Sequence, residues 1–169
     1  MISENNYSKS QLIFLLILRF VVGWHILYEG ISKVLNPQWT SANFLQESQG
    51  ILSGLSNWII SNANLLTIID FLNIWGLMAI GVGLIFGFLF KPAAIIGSFL
   101  VFIYYLSVPP LVGYEYTLPV DGSNLVVNRT LIEAIALFGL ALFPTSKIFG
   151  LDFFIYSRNK RKLQNGKTR

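Results

Sequence analysis

The sequence predicts an all-α membrane protein: a four-transmembrane-helix bundle, N-in/C-in, with an amphipathic interfacial helix in the first external loop. Three observations predict it. Four apolar runs, at about 11–35, 65–90, 92–110 and 125–145, approach the roughly 20 residues that a spanning helix needs. Charged residues make up 12% of the 169 residues and hydrophobic ones 54%, against about a quarter charged in a soluble domain. The third observation is the sorting of basic residues. Lys9, Lys91 and the cluster Arg158, Lys160, Arg161, Lys162, Lys167 and Arg169 fall on one side of the implied membrane, whereas 36–64 and 113–124 contain no Lys or Arg. Lys and Arg of short loops mark the cytoplasmic side, so both termini are expected there.

The first run resembles a signal-peptide core from Leu12 to Leu18, but Arg19 interrupts it and no small-residue cleavage site follows. It reads as a retained helix, ended by Asn36-Pro37. The second run stops at Lys91-Pro92. The third opens at that corner, where proline suits the first turn, and breaks at Pro109-Pro110. The fourth ends or kinks at Pro144. Between the first two runs, about 41–62, the apolar residues Phe44, Leu45, Ile51, Leu52, Leu55, Trp58 and Ile59 recur every three or four positions among polar ones. That is the pattern of a helix lying in the interface, a lid or a seal over the outer end. Asp121-Gly122 marks a turn in the second external loop, and Ser146–Tyr156 reads as a second interfacial segment. Residues 157–169 form a basic tail facing anionic headgroups, which explains the net charge of +4 without nucleic acid. Gly76, Gly83 and Gly87 share a face of the second helix, for close packing within the chain.

The composition excludes several chemistries. With no cysteine and His25 as the only histidine, no disulfide, iron–sulfur cluster, bis-histidine haem or histidine-rich metal site is expected in this chain. Redox chemistry would need a bound organic cofactor or a partner subunit.

Polar residues inside the apolar runs are the candidate site, because charges in hydrocarbon are costly and usually face a bundle interior. Glu29 and Lys33 lie four apart, as do Arg129 and Glu133, while Asp70 and Asn73 lie three apart and Tyr104 stands near the end of the third run. At 1.5 Å per residue these groups sit roughly 6 to 12 Å inside the outer ends of their helices, so antiparallel packing brings them to one level. Three acids and two bases at one level leave one carboxylate able to exchange a proton. The competing reading is a salt-bridge cluster that only fixes helix register. Arg19 lies apart, on a stripe with Gly23, Gly30 and Lys33, and is expected to snorkel or to bond carbonyls. His25 falls on a different face, as a packing residue. Asn128-Arg129-Thr130 matches a glycosylation acceptor, at an unfavourable place for one.

Several stretches together resemble the DoxX/DoxD proteins. They are Leu18-Arg19-Phe20-Val21-Val22-Gly23-Trp24, Tyr28-Glu29-Gly30-Ile31-Ser32-Lys33, Leu72-Asn73-Ile74-Trp75-Gly76, Tyr104-Tyr105-Leu106 with Pro109-Pro110, Asn124 to Ala134, and Phe143-Pro144-Thr145 with Phe149-Gly150-Leu151-Asp152. The resemblance is nearest to the DoxD-like membrane subunit of thiosulfate:quinone oxidoreductase. It implies a four-helix subunit of the bacterial cytoplasmic (inner) membrane, acting with a second small redox subunit in reducing a quinone. On this reading Glu133, Asp70 and Glu29 are the proton-exchange candidates. Arg129, Lys33, Asn73, Tyr104 and Trp75 would contact the quinone or hold an anion, and a homo-oligomer is a further candidate assembly. The alternative is a non-catalytic membrane anchor or assembly partner of a redox or envelope complex.

Overall fold

The structure, a computed structural model, describes residues 7–111, 113, 116–117, 126–146 and 148–153. Its elements are α1 (Lys9–Val34), α2 (Ala42–Gln46), a 3-10 turn (Gly50–Leu52), α3 (Ser53–Ile60), α4 (Ala63–Phe86), α5 (Phe90–Ser107) and α6 (Arg129–Leu142). Three of these, α1, α4 and α5, are long and apolar enough to cross a membrane. Their outward faces carry Phe14, Trp24, Phe71, Trp75, Ile96 and Phe99, all exposed. Apolar area of this extent on several long helices requires lipid as its solvent, so this is a multi-pass membrane protein.

Local chemistry sets the helix ends. Ser8 and Gln11 form a reciprocal capping box at the start of α1, through bonds of 3.0 and 3.2 Å. Asn62 and Asn128 accept the N–H groups of Leu65 and Leu131 at the starts of α4 and α6. Gly87 ends α4 in the left-handed region, with φ 66°, so this helix stops four residues short of the expected Phe90 and α5 begins at Phe90, ahead of Pro92. The Asp152 carboxylate accepts the N–H groups of Leu89 and Phe90 at 3.0 and 3.1 Å, capping α5 from a segment distant in sequence. Between α1 and α4 the periodicity predicts one helix, but Gln49 is extended and Gly50 has φ 72°. The segment is therefore broken into α2, the turn and α3. The turn at Asp121-Gly122 and the basic tail lie outside the described residues.

α1 packs chiefly on α4 and α5 chiefly on α6; α4 and α5 join these pairs, and α1 meets α6 only lightly. Backbones come closest at glycine. A Cβ on Gly81 of α4 would lie 2.6 Å from the Leu27 backbone nitrogen of α1, and one on Gly30 would lie 3.0 Å from the Met78 nitrogen. Gly76, expected on the packing face, meets nothing within 4 Å. Gly83 and Gly87 pack within the chain, against Ala93 and beside Arg19. Ile26, Leu77, Ile80, Leu84, Leu137 and Leu140 fill the interior between the helices.

Arg19 fastens one end of the bundle. It is 3% exposed and donates to the carbonyls of Leu84 at 2.5 Å, Ile85 at 3.0 Å and Phe149 at 2.6 Å, with the Phe90 ring 5.1 Å away. Of the two fates expected for it, carbonyl bonding is the one observed. The guanidinium satisfies carbonyls near the C-terminal end of α4, whose groups lack helical partners, and binds them to the chain after α6.

Gly81→Ala is expected to destabilise the protein in detergent by about 1–3 kcal/mol through overpacking, whereas Gly76→Ala changes stability by less than about 0.5 kcal/mol. Thermal melting of the two variants checks the pair. Arg19→Met removes charge-assisted bonds worth about 1.5–3 kcal/mol each; a lowered melting temperature, partly restored in Arg19→Lys, is the expected result.

Candidate functional site

At the opposite end, where α1 finishes and α6 begins, the helices part around a cavity of about 360 Å³. Glu29 and Lys33 of α1, Asn73 of α4, Tyr104 of α5, and Arg129 and Glu133 of α6 all line it. Four helices thus bring six of the eight sequence-predicted site residues to one chamber. Ile26, Leu77 and Val101 supply apolar wall, and Trp39, Ser41 and Phe44 close it from the side of α2.

Two predicted residues lie elsewhere. Trp75 is 52% exposed and turned outward, its ring 6.2 Å from that of Phe71, because position 75 falls on the face of α4 away from α1 and α5. Asp70 does not line the cavity. Its carboxylate accepts from the backbone N–H of Ser41 at 2.8 Å and from the Ser41 hydroxyl at 2.5 Å, fixing the approach to α2 onto α4. The expected surplus of one carboxylate at the site therefore disappears. Two acids, Glu29 and Glu133, face two bases, Lys33 and Arg129, with His25 as a further titratable group.

His25 belongs to the site. Its Nε2 is 3.6 Å from Glu133 Oε2, and its side chain is 43% exposed against 16% for Glu133. It lines the cavity and bridges α1 to α6 where the two helices pack lightly. Helical spacing gives the signal that could have found it, since His25, Glu29 and Lys33 succeed one another at four-residue intervals. Trp39, Ser41 and Phe44 carry no such signal, because their arrival depends on how the connection folds back.

The polar contacts form two groups. Lys33 Nζ donates to Asn73 Oδ1 at 2.8 Å, and the Asn73 amide donates to the Tyr104 hydroxyl oxygen at 2.5 Å. The Lys33 ammonium also lies 4.9 Å from the Trp39 ring and 5.8 Å from the Tyr104 ring, both within cation–π range. Lys33 thus bonds across to α4 instead of closing a simple pair with Glu29 along α1. On the other wall, Glu133 is within electrostatic reach of His25, Arg129 and Glu29. Its Oε1 is buried and has no hydrogen-bond partner among the described residues. Among those residues no group of three or more metal-ligating side chains occurs.

The connection over the cavity is held at several points besides Asp70. The Gln49 N–H donates to the Ser107 carbonyl at 3.0 Å, and Glu47 accepts from the Thr117 N–H and hydroxyl. Tyr116, which also lines the cavity, donates its hydroxyl to the Pro109 carbonyl at 2.7 Å. The chamber is lined both by apolar side chains and by groups of opposite charge. Such a space suits a ligand with an apolar ring and a few polar atoms.

No curated protein and no solved structure shows significant similarity to the chain. The DoxX family model matches residues 14–109, which contain the α1 and α4 walls of the cavity, the α2–α3 connection, Val101 and Tyr104. More than half of the sequence is matched, and the chain belongs to the DoxX family of membrane proteins.

Proposed function

We propose that this protein is the membrane subunit of a quinone-linked oxidoreductase, and that the cavity receives the quinone headgroup. The observation that carries this reading is the buried Oε1 of Glu133, without a hydrogen-bond partner among the described residues. Leaving a buried polar atom unsatisfied costs about 1–3 kcal/mol, and such an atom on a cavity wall suits a ligand that brings the missing donor. A quinol hydroxyl is a donor of that kind. In the reducing direction it is the product, formed when protonated Glu133 gives its proton to the reduced quinone oxygen. The carboxylate left behind accepts from the new hydroxyl, and His25, at the other carboxylate oxygen and half-open to the surroundings, resupplies the proton. The apolar side formed by Ile26, Leu77 and Val101 takes the ring. The seam between α1 and α6 lets an isoprenoid tail run into lipid.

On this reading α6, with its flanking residues, is a fourth span, and both termini lie on the cytoplasmic side of a bacterial inner membrane. The cavity then sits in the outer leaflet with α2 and α3 in the interface above it, where exposed Ile51, Leu55 and Trp58 contact headgroups and acyl chains. Thiosulfate is the electron donor that fits a dianion approaching Arg129 at the mouth, with a second small subunit carrying out its oxidation. Two thiosulfates joined by a sulfur–sulfur bond release two electrons, which the quinone takes up with two protons.

Protein purified from membranes is expected to carry extractable quinone near one equivalent. Glu133→Gln should lower that occupancy several-fold, and Val101→Trp, which fills the cavity, should abolish it. Wild-type protein free of quinone, yet still associated with a partner subunit, would replace this reading with that of an anchor or assembly factor.

A further inference from the structure

The Lys33–Asn73–Tyr104 chain has a direction that follows from donor and acceptor chemistry alone. An ammonium only donates, so the Asn73 atom facing Lys33 is the carbonyl oxygen. The amide nitrogen therefore faces Tyr104, and as an N–H donor it makes the phenol oxygen an acceptor. A phenol carries its proton and its in-plane lone pair on opposite sides of the oxygen. With the lone pair taken by Asn73, the O–H points away from α4. Tyr104 lines the cavity, and no acceptor for its proton is found among the described residues. Its ring is held edge-to-face against Phe44, with centroids 5.6 Å apart, and lies beside the Lys33 ammonium.

From this we infer that Tyr104 is the cavity's hydrogen-bond donor to an acceptor oxygen on the ligand, with Lys33 and Asn73 acting as positioning residues that fix the hydroxyl's polarity. The inference rests on the proposed quinone reading and deepens it. A quinone would place one carbonyl oxygen against the Tyr104 hydroxyl on α5 and its second oxygen towards the protonated carboxyl of Glu133 on α6, which accepts from that oxygen once it has become a quinol hydroxyl. A ligand offering only donors on the Tyr104 side would be refused, because its donor would meet another donor. Glu29, within electrostatic reach of Tyr104, is the acceptor that would compete for the proton.

The test uses a substitution that reverses polarity without changing shape. In Asn73→Asp the carboxylate accepts from both Lys33 and Tyr104, so the hydroxyl turns its proton to α4 and presents a lone pair to the cavity. Binding of decylubiquinone to the full chain in lipid nanodiscs, measured by equilibrium dialysis against empty nanodiscs, reads the outcome. Tyr104→Phe and Asn73→Asp should each weaken binding by roughly three- to tenfold, the worth of one net hydrogen bond. In the Tyr104→Phe background, Asn73→Asp should cause no further loss. The carbonyl stretch of the bound quinone should rise in both single variants as the donated bond is lost. Unchanged binding in Asn73→Asp, as when Glu29 holds the proton, overturns the inference. So does an Asn73→Asp effect that persists in the Tyr104→Phe background, which would trace to the added charge. Wild-type protein that binds no quinone above the empty-nanodisc level overturns the proposed function and this inference together, whereas wild-type binding with indifferent variants overturns this inference alone.

Discussion

A polar side chain on an apolar helix has to find its partner on another helix, and most of this architecture follows from that requirement. Lipid gives helices little reason to associate by burying apolar surface, so close backbone approach and interhelical polar contacts hold them together. Gly81 against Leu27 and Gly30 against Met78 provide the first along α1 and α4. The second is concentrated at the two ends of the bundle, and the ends treat their polar groups differently.

At the Arg19 end, satisfaction is extensive. One guanidinium takes up carbonyls from α4 and from the chain after α6, while Asp152 caps α5. The polar groups at this end are taken up by one another, so the arrangement ties α1, α4, α5 and the chain after α6 together. At the cavity end the chain from Lys33 through Asn73 to Tyr104 is equally definite, but it terminates in a hydroxyl facing open space. On the opposite wall one oxygen of Glu133 is buried and unmet among the described residues. The contrast is between polar groups that partner one another and polar groups left turned towards a cavity.

Much of this was legible in the sequence because a helix converts spacing into position. Glu29, Lys33, Asn73, Tyr104, Arg129 and Glu133 could be placed at a common depth by counting residues from the helix ends, and they do line one cavity. What counting could not supply was rotation about each helix axis. Trp75 is two positions from Asn73, about 200° around α4, and so faces outward. His25 is on the same four-residue ladder as Glu29 and Lys33, yet its relation to Glu133 depends on how α1 and α6 are apposed. Asp70 was at the expected depth, but its partner, Ser41, lies in a connection whose path is decided by Gln49 and Gly50. Backbone conformations of that kind leave little trace in apolar periodicity, which is also why one helix was expected where two short ones stand.

The account depends on α1 and α6 enclosing a shared chamber with His25 and Glu133 at the seam. The chain has no cysteine, so a pair can be introduced without background. In intact membranes, His25→Cys together with Glu133→Cys should be joined by a short thiosulfonate cross-linker, whereas Trp75→Cys with Glu133→Cys should not. Failure of the first pair to cross-link, or equal reaction of both, would contradict the shared chamber.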